Sequence, residues 1–222
     1  MFCKNTTNVL QTPPWFVLCS SPTPPSLLRQ RAPSRSAISH FKIAAAASLF
    51  WFTCLEYVHG YNNSFDEAVR RTAMIAFDLD FDGATFLFAW PAQSGMFGYG
   101  GDRGRARIAA PFLVELLKLI AVELPDVKLH IIAHSTGAEI ALSALTDLAS
   151  SSTTASLPRF GELILSHADV SAKRLERVMP SIKALGIGAT SYSSAEDWAM
   201  WISHSIRSTG ARVGSGPVYV PG

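Results

Sequence analysis

The chain has 222 residues, of which 48% are hydrophobic and 16% charged, and its formal net charge at pH 7 is +2. This length and apolar content suffice for one domain with a sizeable core, and they exclude a wholly disordered chain. The first 55 residues carry five of the 19 basic side chains and no acidic one, which leaves the rest of the chain net acidic. Because that part offers no broad basic surface, we expect no nucleic-acid partner.

The N-terminal part has an unusual composition. Residues 1–42 are rich in Pro, Ser, Thr and Arg, which predicts a disordered basic segment. Residues 43–55, "IAAAASLFWFTCL", are uncharged but shorter than the roughly 20 residues of a membrane helix. Three interpretations of this apolar segment stay open, namely a membrane anchor, a targeting segment and a lead into the first strand. Membrane association through residues 43–55 and a cytoplasmic location are therefore both compatible with the sequence.

The cysteines and histidines predict neither a metal site nor a disulfide framework. Cys3, Cys19 and Cys54 all fall in the N-terminal part, and their spacing matches no zinc or redox motif. The histidines do not form the paired helical arrangement of a metalloprotease. We therefore expect no metal and no cofactor.

Residues 56–222 form the predicted domain, because short strand-like runs alternate there with helical runs. This alternation predicts an α/β fold, a mostly parallel sheet with helices on both faces. The predicted strands are "LEYVH", "ATFLFAW", "VKLHIIAH", "GELILSHADV" and "ATSYSS". The predicted helices include "NNSFDEAVRRTAMIAFDL", "ARIAAPFLVELLKLIAVEL" and "AKRLERVMPSIKAL". The glycine-rich stretch 93–104 is expected to be a loop, and the Ser/Thr run 150–156 a linker.

The first predicted helix has the clearest local signals. Ser64 and Glu67 have the spacing of a capping box, which marks the start of the helix. Its apolar face is expected to contain Phe65, Val69, Ala73 and Ala76.

Ser135 is the candidate nucleophile. It stands in Ala133-His134-Ser135-Thr136-Gly137, directly after a buried strand and before a helix of small residues. This resembles the Gly-x-Ser-x-Gly nucleophile elbow, whose sharp turn needs small residues two positions to either side of the serine. Ala133 replaces the first glycine and keeps the small size. An ordinary serine in a strand-to-helix turn is the alternative.

The stretch "YVHGYNNSF" is the candidate oxyanion loop. A tetrahedral intermediate needs two backbone N–H donors, one from the residue after the serine and one from an earlier loop at a strand end. The backbone amides of Tyr61 and Thr136 are the predicted donors, with His59 and Gly60 completing the loop. A glycine-containing turn that caps the following helix is the simpler interpretation, and both can hold together.

The acid of a triad should follow the serine in sequence and lie at the carboxyl end of a later strand. Asp197, in "SYSSAED", meets both conditions and is our first choice. Asp169, in "SHADV", is the reserve candidate. Either aspartate could instead cap the helix that follows it.

Six separated blocks resemble, in order, a bacterial alpha/beta-hydrolase family described as esterase/lipase-superfamily proteins of unknown function. They are "VHGYNNSF", "FAWPAQSG", "DRGRAR", "IIAHSTG", "LSHADV" and "YSSAEDWAM", and the resemblance runs from Glu56 to the C-terminus. It implies an alpha/beta-hydrolase fold with Ser135 as nucleophile, Asp197 as acid and the loop from His59 to Tyr61 at the oxyanion. It implies no particular substrate.

The chain departs from the family at its C-terminal end. In similar proteins a last strand follows the region of "GSGPVYVPG", and the catalytic histidine lies beyond it. The resemblance therefore predicts that this chain lacks the last strand and is truncated before the catalytic histidine. His204 follows Asp197 in a predicted helix and is a weak candidate for the base. His134 should point away from the nucleophile, and His167 should pack near Asp169.

These features together predict a serine hydrolase that acts on small-molecule carboxylic esters through a nucleophile elbow, without a cofactor. The alternative from another class is an inactive, truncated hydrolase-like domain with a binding role or no independent function. The patterns do not specify the acyl group.

Overall fold

The computed structural model describes residues 16–19, 53–92, 99–151 and 157–193, with side chains described for 53–92, 105–151 and 157–193. In chain order, its strands are β1 (Phe16–Cys19), β2 (Thr53–Val58), β3 (Ala84–Phe88), β4 (Lys128–His134), β5 (Arg159–Ser166) and β6 (Gly188–Tyr192). Its helices are α1 (Phe65–Asp78), α2 (Tyr99–Glu123), α3 (Gly137–Ser150) and α4 (Ala172–Ala184).

The strands form one sheet in the order β1-β3-β2-β4-β5-β6. Strands β2 to β6 are mutually parallel, and β1 pairs antiparallel with β3. The five strands predicted from the sequence are therefore the five parallel ones. The chain builds outward from β2 to β3, and then crosses back over β2 to place β4 on its other side. The carboxyl ends of β2 and β4 thus meet where the direction of winding reverses, which is where open α/β sheets bind ligands.

Helices cover both faces of the sheet, as expected. One face packs against α2, α3 and α4 in a large core that includes Phe86, Leu117, Leu142 and Leu163. The other face, through Leu55, Tyr57 and Leu87, packs against α1 in a smaller core. Because both faces are covered, the middle strands are apolar almost throughout rather than alternating.

Helix α1 begins as predicted. Ser64 is the N-cap, its hydroxyl oxygen accepts from the Glu67 N–H, and the Glu67 carboxylate accepts in return from the Ser64 N–H. The predicted apolar face was wrong at Ala73, which is exposed. Thr72 takes a buried place instead, because its hydroxyl donates to the Ala68 carbonyl oxygen and so needs no water.

One helix boundary and one strand differ from the expectations. Helix α2 begins at Tyr99, so the second half of the glycine-rich stretch is helical rather than loop. The low helix propensity of glycine is a weak preference, and the packed part of α2 from Ala106 onward overrides it. Strand β1 lies within the segment expected to be disordered, where four apolar residues pair with β3.

The apolar segment 43–55 is described only at its end, where Thr53, Cys54 and Leu55 belong to β2. Among the described residues, no helix is both long and apolar enough to cross a membrane. The interpretations of residues 43–52 lie outside the described part of the chain.

Candidate functional site

The carboxyl edge of the sheet brings together the loops that follow β2, β3, β4 and β5. In register, Val58 on β2 pairs with Phe88 on β3 and with Ala133 on β4, so these strands end at the same level. His134 on β4 pairs with Ser166 on β5. The residues just past these positions therefore meet at one edge, and they include Ser135, the proposed oxyanion loop and Asp169.

Ser135 forms a sharp turn between β4 and α3. Its φ is +51°, in the left-handed region that serine rarely adopts. Three backbone hydrogen bonds hold it there. The Ser135 N–H donates to the Ser166 carbonyl oxygen at 3.0 Å, and the Ser135 carbonyl oxygen accepts from Ala138 and Asp169, each at 3.1 Å. Neighbouring elements thus impose a strained backbone at the serine, as a nucleophile elbow requires.

Two glycines let the elbow and the preceding loop approach closely. A Cβ on Gly137 would lie 2.5 Å from the carbonyl oxygens of both Val58 and His59. A Cβ on Gly60 would lie 2.7 Å from His134 Nδ1 and 2.8 Å from Ser135 Cβ. Side chains cannot occupy such distances, so the end of β2 rests directly on the serine turn. The small residue two positions after Ser135 is explained by this contact.

His59 is a buried structural group rather than a free base. Its Nε2 accepts from the Trp90 N–H at 3.0 Å, and its Nδ1 lies 2.9 Å from the Gly60 carbonyl oxygen. The Trp90 indole Nε1–H donates to the His59 carbonyl oxygen at 2.7 Å, and the two rings stack with centroids 5.5 Å apart. Burial lowers the pKa of His59 to about 4, so the ring is neutral at pH 7.

The rest of the candidate oxyanion loop is held by its own side chains. Asn62 has a φ of +53°, a conformation that asparagine tolerates better than most residues. The Asn63 side-chain amide donates to the carbonyl oxygens of Tyr61 at 2.9 Å and Gly60 at 3.3 Å. The carbonyl oxygens of Gly60 and Tyr61 are therefore engaged by the Asn63 and His59 side chains.

Thr136 occupies the N-cap position of α3, next to Ser135. Its side chain makes no capping hydrogen bond, and its buried hydroxyl has no hydrogen-bond partner among the described residues. The first N–H groups of a helix have no acceptor within the helix, and the helix dipole makes this end attractive to negative charge. The start of α3, directly after Ser135, is therefore suited to stabilise negative charge.

Of the two candidate acids, the structure describes Asp169. It is buried just past β5, and its N–H is one of the two that donate to the Ser135 carbonyl oxygen. Asp197, our first choice, lies outside the described residues, as does His204. Asp169 is therefore a direct neighbour of the serine turn, while the assignment of the acid stays a prediction.

Two further histidines lie near the elbow. The rings of His134 and His167 are 6.2 Å apart between centroids. His167 has a φ of +48°, its N–H donates to the Tyr192 carbonyl oxygen, and its Nδ1 lies 3.2 Å from the Ser166 hydroxyl. The end of β5 is thus a second strained turn that packs against the first.

The described residues contain no cluster of three His, Cys, Asp or Glu side chains arranged to hold a metal ion. The thiol of Cys54 is buried and unpaired, and burial together with the charge of Glu56 raises its pKa well above the usual range. Both effects disfavour the thiolate, which is the reactive form of cysteine.

Sequence reasoning missed two residues. The pattern of "ATFLFAW" predicts Trp90 only as the end of a buried strand, although the indole N–H of a buried tryptophan needs an acceptor. The pattern of "LEYVH" likewise predicts only a strand, although a carboxylate in the middle of a buried strand is rare. Glu56 is fully buried, and burial raises its pKa well above the usual range, which the Phe88 N–H opposes only in part.

Comparisons with known proteins give partial matches to a relative and to solved structures. The uncharacterized protein alr1448 of Nostoc sp. is 34% identical over 61 residues, which cover 28% of this chain and 16% of that relative. MenH from S. aureus is 16% identical at a TM-score of 0.35, covering 55% of this chain and 40% of that one. A thermostable carboxyl esterase from Bacillus coagulans is 18% identical at a TM-score of 0.36, covering 61% and 43%.

Esterase PE8 is 17% identical at a TM-score of 0.37, covering 71% of this chain and 93% of its own. Likeness at these levels is too low to transfer an activity.

The match to a family model is much broader. The family described as "Alpha/beta hydrolase of unknown function (DUF900)" matches residues 53–220, from the start of β2 through the whole described site. The chain belongs to this family, and its fold is that of the alpha/beta hydrolases.

Proposed function

We propose that this protein is a serine hydrolase that cleaves carboxylic esters, with Ser135 as the nucleophile. The observation that carries the proposal is the left-handed backbone of Ser135, held between β4 and α3 by hydrogen bonds from two neighbouring elements. Such strain is costly, of order 1–3 kcal/mol, and is found mainly where function maintains it. The family and the fold support a hydrolase in general; the serine mechanism and the ester substrate are the proposal.

In this mechanism the Ser135 hydroxyl attacks the acyl carbonyl carbon while a histidine takes its proton. The carbonyl oxygen becomes an oxyanion, which accepts hydrogen bonds from the backbone N–H groups of Tyr61 and Thr136. The histidine then protonates the leaving alcohol, and the acyl group stays on the serine. Water, deprotonated by the same histidine, releases the acid and restores the enzyme.

An aspartate orients the histidine, and Asp197 remains our first choice because of its place in the triad order. Asp169 is the alternative, supported by its burial beside the serine turn. Of the described histidines, His59 is committed to backbone partners through both ring nitrogens. The base is therefore a different histidine, with His204 a candidate from the sequence. The expected partner is a small-molecule ester rather than nucleic acid.

The engagement of His59 also favours a second candidate function. A hydrolase-like domain without a competent base would bind a ligand at the same edge and turn it over very slowly, through the oxyanion donors alone. The two functions differ in whether Ser135 controls turnover.

The test is hydrolysis of p-nitrophenyl acetate and butyrate by the purified full chain. For an enzyme, we expect Ser135→Ala to reduce kcat/KM by a factor of about 10⁴ or more, because the covalent route is lost. Ser150→Ala is the matched control, since Ser150 is an exposed serine on α3. Equal and barely detectable rates in the wild type, Ser135→Ala and Ser150→Ala would favour the binding domain.

The acid is assigned by the same assay. If Asp197 orients the base, Asp197→Asn lowers kcat by a factor of about 10³ to 10⁴, as for the orienting aspartate of a triad. Asp169→Asn then has a much smaller effect, because the backbone N–H that holds Ser135 is retained. The reverse order of effects would assign the acid to Asp169.

A further inference from the structure

His59 and Trp90 lie just past the ends of two adjacent strands, β2 and β3, and both are buried. Three polar contacts join His59 to its surroundings: Trp90 N–H to Nε2, Nδ1 to the Gly60 carbonyl oxygen, and the indole N–H to the His59 carbonyl oxygen. The two rings are stacked within 13° of parallel. We call this pair of residues the His59–Trp90 clamp.

The partners of His59 define its tautomer. A backbone N–H can only donate, so Nε2 must carry the lone pair that accepts from Trp90. A carbonyl oxygen can only accept, so Nδ1 must carry the proton that is donated to Gly60. Protonation of Nε2 would break the bond to Trp90, and the other tautomer would break both bonds. The clamp therefore works only with neutral His59 protonated at Nδ1.

The clamp acts on the backbone of the oxyanion loop. In a trans peptide the C=O and the following N–H point in opposite directions within one rigid plane. Trp90 Nε1–H holds the His59 carbonyl oxygen, and His59 Nδ1–H holds the Gly60 carbonyl oxygen. Drawing the Gly60 oxygen toward the histidine therefore aims the Tyr61 N–H the opposite way. Gly60 itself lies against Ser135 Cβ, so this peptide borders the nucleophile.

We propose that the His59–Trp90 clamp positions the Tyr61 amide for the oxyanion, so that a tryptophan at the end of β3 governs transition-state stabilisation. This inference rests on the proposed function. His59 and Trp90 are positioning residues in it, since they act through the loop backbone. Misalignment of a donor affects the transition state more than ground-state binding, because the negative charge develops only on the way to the intermediate.

Trp90→Phe tests the clamp with little disturbance. It keeps an aromatic ring and the backbone N–H to His59 Nε2, and removes the indole bond to the His59 carbonyl oxygen. We expect kcat to fall about ten- to a hundredfold with KM changed by less than about threefold, less than for outright loss of a donor. Thr72→Val is the matched control, because it removes a buried hydrogen bond within α1. It should lower stability and leave kcat unchanged.

His59 variants supply a rescue test. In His59→Asn the side-chain amide N–H can donate to the Gly60 carbonyl oxygen in place of Nδ1–H. His59→Leu offers no donor there. His59→Asn should therefore retain more kcat than His59→Leu when both are compared at equal folded fraction. Equal losses in both variants, or a Trp90→Phe kcat no lower than that of Thr72→Val, would overturn the proposal.

A readout that needs no activity separates this inference from the proposed function. Nitrogen-15 NMR of the wild type should show His59 as the neutral tautomer protonated at Nδ1. Hydrogen exchange at the Tyr61 amide should be at least about tenfold faster in Trp90→Phe than in the wild type and in Thr72→Val. An esterase-inactive wild type with these signatures would contradict the hydrolase alone. Unchanged Tyr61 exchange in an active enzyme would contradict the clamp alone.

Discussion

Glu56 on strand β2 and His59 just past its end are both buried and ionisable, but their hydrogen-bonding surroundings differ. His59, 1% exposed at the end of the strand, has a partner for each ring nitrogen. Glu56, 0% exposed in its middle, has no hydrogen bond of good geometry at either carboxyl oxygen among the described residues, and the nearby Phe88 N–H offsets its burial only in part. The buried His59 ring is therefore hydrogen-bonded at both nitrogens, whereas the buried Glu56 carboxyl is poorly satisfied.

The difference follows from where backbone groups are available. Glu56 pairs in register with Phe86 on β3 and Ile131 on β4, and the backbone amides there serve the ladder of the sheet. His59 lies one residue past the last paired position, where the ladder ends and the Trp90 N–H is available to a side chain. The carboxyl edge of a parallel sheet can thus satisfy a buried polar group that its interior cannot.

Substitution at the edge should have the largest effect on stability. In Gly137→Ala the new Cβ would meet two backbone oxygens at 2.5 Å, which cannot move without shifting β2. We expect the free energy of unfolding to fall by about 3 kcal/mol, the upper part of the overpacking range. Chemical unfolding in urea measures it.

The matched control is Gly186→Ala. Gly186 has a φ of +75° with nothing within 4 Å of a Cβ, so only backbone strain opposes the change. The cost there should be about 1 kcal/mol. Equal losses at the two glycines would contradict the close packing of β2 on the serine turn.

In the sheet interior, replacement of Glu56 by an apolar residue should raise the free energy of unfolding. Glu56→Leu removes a poorly satisfied carboxyl from an apolar core, and we expect a gain of about 1–3 kcal/mol at pH 7. Glu56→Gln keeps the size and removes the titration. Comparison of both variants with the wild type in urea unfolding separates the apolar gain from the charge.

The two side chains should also oppose each other in pH dependence. In the unfolded chain the pKa of Glu56 is about 4.3, and in the folded protein it is raised. The free energy of unfolding therefore decreases as the pH rises above about 4.3, because the folded protein holds this proton more tightly than the unfolded chain. His59 has a lowered pKa, so stability falls as pH drops from about 6.5 toward 4. In Glu56→Gln only the loss at acid pH should remain. An unchanged profile above pH 5 would contradict the raised pKa of Glu56.

The sequence predicted the features that repeat a local pattern. The capping box of Ser64 and Glu67, the five parallel strands and the serine between β4 and α3 all follow from short-range signals. The clamp was not predictable, because the partners His59 and Trp90 are 31 residues apart and meet only through strand order. The burial of Glu56 away from available donors depends likewise on the pairing of β2 with β3 and β4, which its local sequence does not show. Strand β1 was missed because a four-residue strand is too short to show a period.

Covalent labelling shows directly whether Ser135 is a nucleophile. The purified full chain is treated with a fluorophosphonate, and the adduct is located by peptide mass spectrometry. We expect a single adduct on Ser135 in the wild type and in Ser150→Ala, and none in Ser135→Ala. A folded wild type that stays unlabelled, or an adduct that persists in Ser135→Ala, would contradict a nucleophilic role for Ser135.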